Sequence, residues 1–144
     1  MHVGAVIKRK GTNIVTVAPD QSIAEVVGLL TTNRIGAVLV VDSQGDIAGI
    51  ISERDIVHGL SQHGVKVMDM KVGALMTRDV QRCDPHDTIA NIMSVMTQRR
   101  IRHIPVVENG KLVGIISIGD VVKQRLDETE MEVETLREYV TGRG

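Results

Sequence analysis

Phenylalanine and tryptophan are missing from all 144 residues, and tyrosine occurs once, at Tyr139. The core must therefore be aliphatic, and no aromatic platform is available on which a base could stack. Cysteine also occurs once, which excludes an internal disulfide and fits a reducing compartment; Cys83 is expected to be a buried, inert thiol. Excess charge of either sign is absent. Seventeen Lys+Arg against eighteen Asp+Glu leave a formal net charge of −1, so no global field draws the chain to nucleic acid or to an anionic membrane. An anionic ligand would have to be held by local charges. No apolar run approaches the roughly 20 residues that span a bilayer, and Met1-His2-Val3-Gly4-Ala5 does not have the charged-then-apolar form of an export signal. These absences place the protein in the cytoplasm, with neither nucleic acid nor membrane as a partner. The 42% apolar content suffices for one compact domain, or for two half-size units sharing a core.

The most informative feature is internal repetition. Ile14-Val-Thr-Val-Ala-Pro19 aligns with Val80-Gln-Arg-Cys-Asp-Pro85, and the two stretches stay in register for more than forty residues. Ile23-Ala24 falls on Ile89-Ala90, Arg34-Ile35 on Arg100-Ile101, and Val40-Val41 on Val106-Val107. After a one-residue deletion, Gly49-Ile50-Ile51-Ser52 with Asp55 falls on Gly114-Ile115-Ile116-Ser117 with Asp120. A shorter echo precedes each repeat, Val3-Gly-Ala-Val-Ile7 before the first and Val72-Gly-Ala-Leu-Met76 before the second.

Each repeat reads as strand, helix, strand, strand, helix. Ile14 to Val17 is β-rich and stops at Pro19. Ser22-Ile-Ala-Glu25 has the form of a capping box, and Ile23, Val26, Val27 and Leu30 follow the spacing of one apolar helix face, repeated by Ile89, Ile92, Met93 and Met96. Ala37 to Val41 is an unbroken apolar run, as expected of a strand covered on both faces, and Asp42-Ser-Gln-Gly45 is turn chemistry. Ile47 to Ile51 is the returning strand, and Ser52 opens a helix over Arg54 to Leu60. The organisation is then a lead-in at 1–13, repeat one at 14–60, a linker at 61–79 with a short helix around Val72 to Met76, repeat two at 80–126, and a C-terminal helix and tail at 127–144. Leu126, Val133, Leu136 and Val140 lie at helical spacing over Arg125 to Val140, a stripe for a partner or for the chain's own domain.

Two strands that end at Ser-x-x-Asp corners imply two similar clefts. At such a corner the Ser hydroxyl and the helix N-terminal amides favour an anion, while the Asp can accept hydrogen bonds from a vicinal diol. The competing reading makes Ser52 and Ser117 plain N-caps, with Asp55 and Asp120 as first-turn acids suited to the helix dipole. Other constellations are weaker. Arg99, Arg100 and Arg102 could pair phosphates of a nucleic acid, but without net charge or stacking aromatics they do not make an interface. Arg34 and Arg100 sit at equivalent helix ends, which suggests a repeated structural role. Neither His58 with His63 nor Asp84, His86 and Asp87 has a metal-ligand spacing, and no metal is expected. Asp84-Pro85-His86-Asp87 reads as a turn that starts a helix. For catalysis, only His103 with Ser52 is worth naming as a base and nucleophile, and no catalytic residue is assigned.

The doubled Gly-Ile-Ile-Ser-x-x-Asp pattern, each copy preceded by strand, turn and strand and by a helix opening after a proline, resembles the tandem CBS-domain, or Bateman, module. Arg100-Ile-Arg-His-Ile-Pro-Val-Val107 resembles that family's central-strand segment. The resemblance covers about Ile14 to Leu126. It implies an α/β fold of the α+β type, two βαββα units about a pseudo-twofold axis with a C-terminal helix, associating as a homodimer. It implies regulatory binding of AMP, ADP or ATP, less often NAD(H) or S-adenosylmethionine, with no reaction and no catalytic cofactor. Carried over, Asp55 and Asp120 would hold ribose hydroxyls, with Ser52 and Ser117 near ribose or phosphate. One cleft would combine Thr16, Gly36, Ala37 and Val38 with Ser117 and Asp120. The other would combine Arg82, Arg102, His103, Ile104 and Pro105 with Ser52, Arg54 and Asp55, and its cations make it the expected tighter site. Adenine would lie between aliphatic walls. The target is an unknown regulated protein. The alternative from another class is a structural interaction module that works through the C-terminal helix.

Overall fold

The computed structural model describes residues 1–11 and 14–142, so the expected boundary of the lead-in at residue 13 and the last two residues of the tail lie outside the described residues. In chain order the elements are α1 (Val3–Lys10), β1 (Thr16–Val17), α2 (Ile23–Asn33), β2 (Ala37–Val41), β3 (Ile47–Ser52), α3 (Glu53–His63), a 3-10 helix (Gly64–Asp69), α4 (Val72–Leu75), α5 (Ile89–Arg99), β4 (His103–Glu108), β5 (Lys111–Ser117) and α6 (Ile118–Val140). This is a mixed α/β chain carrying two repeats. It divides into two units, residues 14–81 and residues 1–11 together with 82–142. Among the described residues no helix is long and apolar enough to cross a membrane.

In the unit of residues 14–81, β1 runs parallel to β2, and β2 pairs antiparallel with β3 so that Ala37 faces Ser52. Ala37, Val38, Leu39 and Val40 are all buried, as their unbroken apolar run predicts. Helix α2 opens at Ser22, whose hydroxyl accepts the Glu25 N–H at 3.2 Å, and it buries Ile23, Val26 and Leu30. The segment read as a linker carries core residues: Val67, Val72 and Met76 pack with Ile23, Ile51 and Ile56. Helix α3 outruns its expected end at Leu60 and continues to His63, stopping at Gly64 with φ 63°.

In the other unit, α5 opens at Thr88, whose side chain accepts the Asn91 N–H at 3.1 Å, and it buries Ile89, Ile92 and Met96. Strands β4 and β5 pair antiparallel with His103 facing Ser117. Their hairpin closes on Asn109-Gly110, both at positive φ (52° and 78°), the signature of a type I′ turn. This turn is one residue tighter than the Asp42–Asp46 loop of the first repeat and accounts for the deletion in the alignment. The opening strand expected from Val80 shrinks to one parallel bridge between Cys83 and Val106. Where Ile14-Val-Thr-Val alternates apolar residues, Val80-Gln-Arg-Cys presents only Cys83 to the core. The expected repeat helix and tail helix are one continuous 23-residue element, α6.

The two lead-ins are exchanged between the repeats. Helix α1 precedes the first repeat in the chain but docks on the proline turn of the second, with Val3 N–H bonded to Asp87 O at 2.9 Å and Gly4 N–H to Pro85 O at 2.8 Å. It buries Val3, Val6 and Ile7 there. Helix α4 makes the same contacts on the first repeat, Val72 N–H to Gln21 O at 2.8 Å and Gly73 N–H to Pro19 O at 2.9 Å. A Cβ on Gly4 or Gly73 would come within 3.2 or 3.3 Å of the proline carbonyl oxygen, so glycine permits the approach.

Candidate functional site

Both Ser-Asp corners form where a β-strand runs directly into a helix, and both are closed capping boxes. Ser52 N–H donates to Asp55 Oδ2 at 2.9 Å, Ser52 Oγ donates to the same oxygen at 3.1 Å, and Asp55 N–H donates back to Ser52 Oγ at 3.4 Å. At the second corner the distances are 2.8 Å from Ser117 N–H to Asp120 Oδ2, 3.0 Å from Ser117 Oγ, and 3.3 Å for the return bond from Asp120 N–H. The first helical amides are also engaged, Glu53 N–H with Gly36 O at 3.0 Å and Ile118 N–H with Arg102 O at 2.8 Å. Two of the first three amides of each helix are thus bonded within the chain. The capping role read as the plain alternative is real, and a ligand would use what the boxes leave over, chiefly the second oxygen of each carboxylate.

The groups that touch the two carboxylates differ. Asp55 Oδ1 accepts from Thr77 Oγ1 at 3.1 Å, and Thr77 also closes an antiparallel bridge with Ile50. At the second corner Lys10 Nζ lies 2.7 Å from Asp120 Oδ2, the oxygen already held by the cap, and 3.0 Å from Ile115 O. A neutral hydroxyl faces one carboxylate and an ammonium faces the other. Neither Thr77 nor Lys10 was singled out from the sequence, because they lie 22 and 110 residues from the aspartates they bond. The usable signal was the basic run Lys8-Arg9-Lys10 closing the lead-in.

The remaining candidates fall around these corners unit by unit. In residues 14–81, Gly36, Ala37 and Val38 open β2 beside Ser52, while Thr16 is exposed on β1 opposite Leu39. Arg54 is exposed on the first turn of α3. In the other unit Arg102 and His103 lead into β4 beside Ser117, and Pro105 O accepts the Cys83 N–H at 3.0 Å. Arg82 precedes that bridge and is exposed. Val38 and Ile104 are fully buried, so they can offer a ligand only their backbone.

Asp84 to Asp87 forms the expected helix-opening turn: Asp84 Oδ1 accepts the His86 N–H at 2.8 Å and bonds His86 Nδ1 at 2.7 Å. The His86 backbone and ring hold the Asp84 carboxyl below its ordinary range, and Asp84 raises the imidazole in turn. Burial, with Asp87 and Asp84 nearby, pushes the Cys83 thiol up to about 12.

A family model described as CBS domain matches residues 3–62 and 72–127. An uncharacterized 17.7 kDa protein of Acidianus ambivalens is 34% identical over 134 residues, 92% of this chain and 80% of that protein. Among solved structures, a CBS-domain containing protein from Agrobacterium tumefaciens is 47% identical with a TM-score of 0.84, over 86% of this chain and 92% of that one. The CBS domain pair of protein MJ0100, in complex with 5-methylthioadenosine and S-adenosyl-L-methionine, is 23% identical with a TM-score of 0.79, over 89% of this chain and 98% of that one.

Proposed function

This chain belongs to the CBS-domain family, and from that premise we propose that it is a non-catalytic regulatory module that binds an adenine nucleotide. The observation that carries the reading is the pair of Ser-Asp corners, each holding a carboxylate rigidly on one oxygen while the other faces away from the cap. A ribose diol suits such an acceptor. With Asp55 the phosphate would be held by Arg54, Arg82, Arg102 and His103 and the base read by the backbone at Ile104 and Pro105; with Asp120 the base would be read by the backbone at Gly36, Ala37 and Val38. The candidate ligands are AMP, ADP, ATP, NADH and S-adenosylmethionine; the adenosine compounds bound by the CBS domain pair of MJ0100 support that class. Occupancy acts by favouring one arrangement of the protein, or of a homodimer, over another. A cytoplasmic setting suits the free Cys83.

Asp55 is the stronger determinant in this reading. This reading gives Asp55 the phosphate-binding cations Arg54, Arg82, Arg102 and His103, whereas the Asp120 carboxylate is already paired with the Lys10 ammonium through its capped oxygen. Titration calorimetry of nucleotide-stripped protein with AMP, ATP, NADH and S-adenosylmethionine tests this. Asp55→Ala is expected to weaken the best ligand about 10- to 100-fold, the equivalent of losing charged hydrogen bonds, and Asp120→Ala to do less. Equal or reversed losses would overturn the ranking. No binding of any of the four would leave the interaction-module reading, which the exposed Leu126, Leu136 and Val140 on α6 favour.

A further inference from the structure

Past Glu128, where ion pairs to Met1 and Arg9 end, the long helix α6 leaves its own unit, and from residue 129 every described side chain is exposed. Its own charges do not hold it: Glu130, Glu134 and Glu138 repel at successive i, i+4 spacings. A helix exposed on all sides and carrying an apolar seam needs something to cover that seam. Leu126, Thr129, Val133, Leu136 and Val140 recur at alternating steps of three and four residues, the a and d positions of a coiled coil. Leu126 is 58% exposed, Leu136 62% and Val140 82%. The one hydroxyl in the row is satisfied within the helix, Thr129 Oγ1 donating to Arg125 O at 2.9 Å, so it presents its methyl group to the seam.

We infer that this seam is closed by the same helix of a second copy centred near residue 131, the flanking charges favouring self-pairing and the Thr129 layer and helix dipoles setting an antiparallel direction. In that register Arg125 meets the second copy's Glu132 and Glu130 meets its Arg137, and twofold symmetry doubles each attraction. The apolar layers are Val122 with Val140, Leu126 with Leu136, and Thr129 with Val133, and Tyr139 covers Ile118. A parallel pairing would satisfy the same charges but would set Thr129 against Thr129 and align the two helix dipoles. Glu130, Glu132 and Arg137 make no ion pair among the described residues, while Arg125, 3.0 Å from Glu128 of its own helix, would share its guanidinium with the second copy's Glu132. The inference rests on the homodimer reading and adds its location, register and direction. It does not depend on nucleotide.

The test uses the full-length chain. Leu126→Cys and Leu136→Cys proteins are oxidised separately and mixed; Cys83 is buried and protonated and stays in place. A disulfide-linked dimer is expected from the mixture and not from either variant alone, because like positions would lie ten residues, about 15 Å, apart along the pair. Sedimentation at low salt then follows Glu130→Arg, expected to raise the dimer dissociation constant about tenfold, and Glu130→Arg combined with Arg137→Glu, expected to restore it. Linkage of Leu136→Cys with itself but not in the mixed pair, or indifference to the charge reversal in a protein that stays dimeric, sinks the seam and leaves the dimer. A monomer at all concentrations sinks both.

Discussion

Arg34 and Arg100 end α2 and α5 in the left-handed region, at φ 53° and 54°. The chain turns off the helix there through a conformation that glycine adopts without strain and arginine does not. Arg34→Gly is therefore expected to stabilise the protein by about 1 kcal/mol, seen as a rise in the thermal midpoint; a fall would mean that the arginine side chain outweighs its backbone strain. The sequence alignment showed that these positions are equivalent, and their backbone conformation was hidden because arginine does not advertise it. Cys83 is the opposite case, an inert buried thiol as its composition suggests. Because its folded pKa lies above the ordinary value, the folded thiol stays neutral where an unfolded one ionises. Stability is whole below the ordinary thiol range and declines as pH rises toward about 12. Thiol labelling at neutral pH is expected to be slow in the native protein and rapid in denaturant. The serines and aspartates of the two corners were legible for the same reason the repeat was, since capping is local chemistry. Lys10 and Thr77 were not, because folding alone brings them to those carboxylates.

At the level of elements, the motif glycine of each returning strand is explained by the lead-in lying on it. A Cβ at Gly49 would meet Thr77 O at 2.7 Å and Met76 Sδ at 2.8 Å, whereas at Gly114 it would meet only the side chain of Ile7, at 2.9 Å. A backbone oxygen held in a bridge cannot yield, but an isoleucine can turn. Gly49→Ala is expected to cost about 2–3 kcal/mol and Gly114→Ala about 1 kcal/mol in denaturant unfolding. Equal costs would show that the lead-ins yield alike. Helix starts were readable from Ser22, Ser52 and Ser117, and the Ala37 to Val41 strand from its apolar run. The core role of Val67 was not, since a segment with weak periodicity gives no sign that its apolar residues find one another in space. Likewise, the second repeat's opening strand looked as long as the first because the alignment matched positions, while pairing responds to which side chains can face the core.

For the whole molecule, the exchange of lead-ins makes stability traceable from one end of the chain to the other. Val6 sits in the core with Ile104, Ile116 and Val121. Val6→Ala is expected to cost about 2 kcal/mol and to lower hydrogen-exchange protection of β4 and β5 before that of β2 and β3. Loss confined to β2 and β3 would contradict the exchange. Helix α1, made ahead of the first repeat, is therefore built for a surface that is made only with the second. Val3, Val6 and Ile7 stay uncovered until Pro85 and Asp87 emerge some 80 residues later, while residues 14–81 already have all they need to fold. During synthesis α1 is made before the first repeat yet buried after it, and it is the finished second repeat that brings it home.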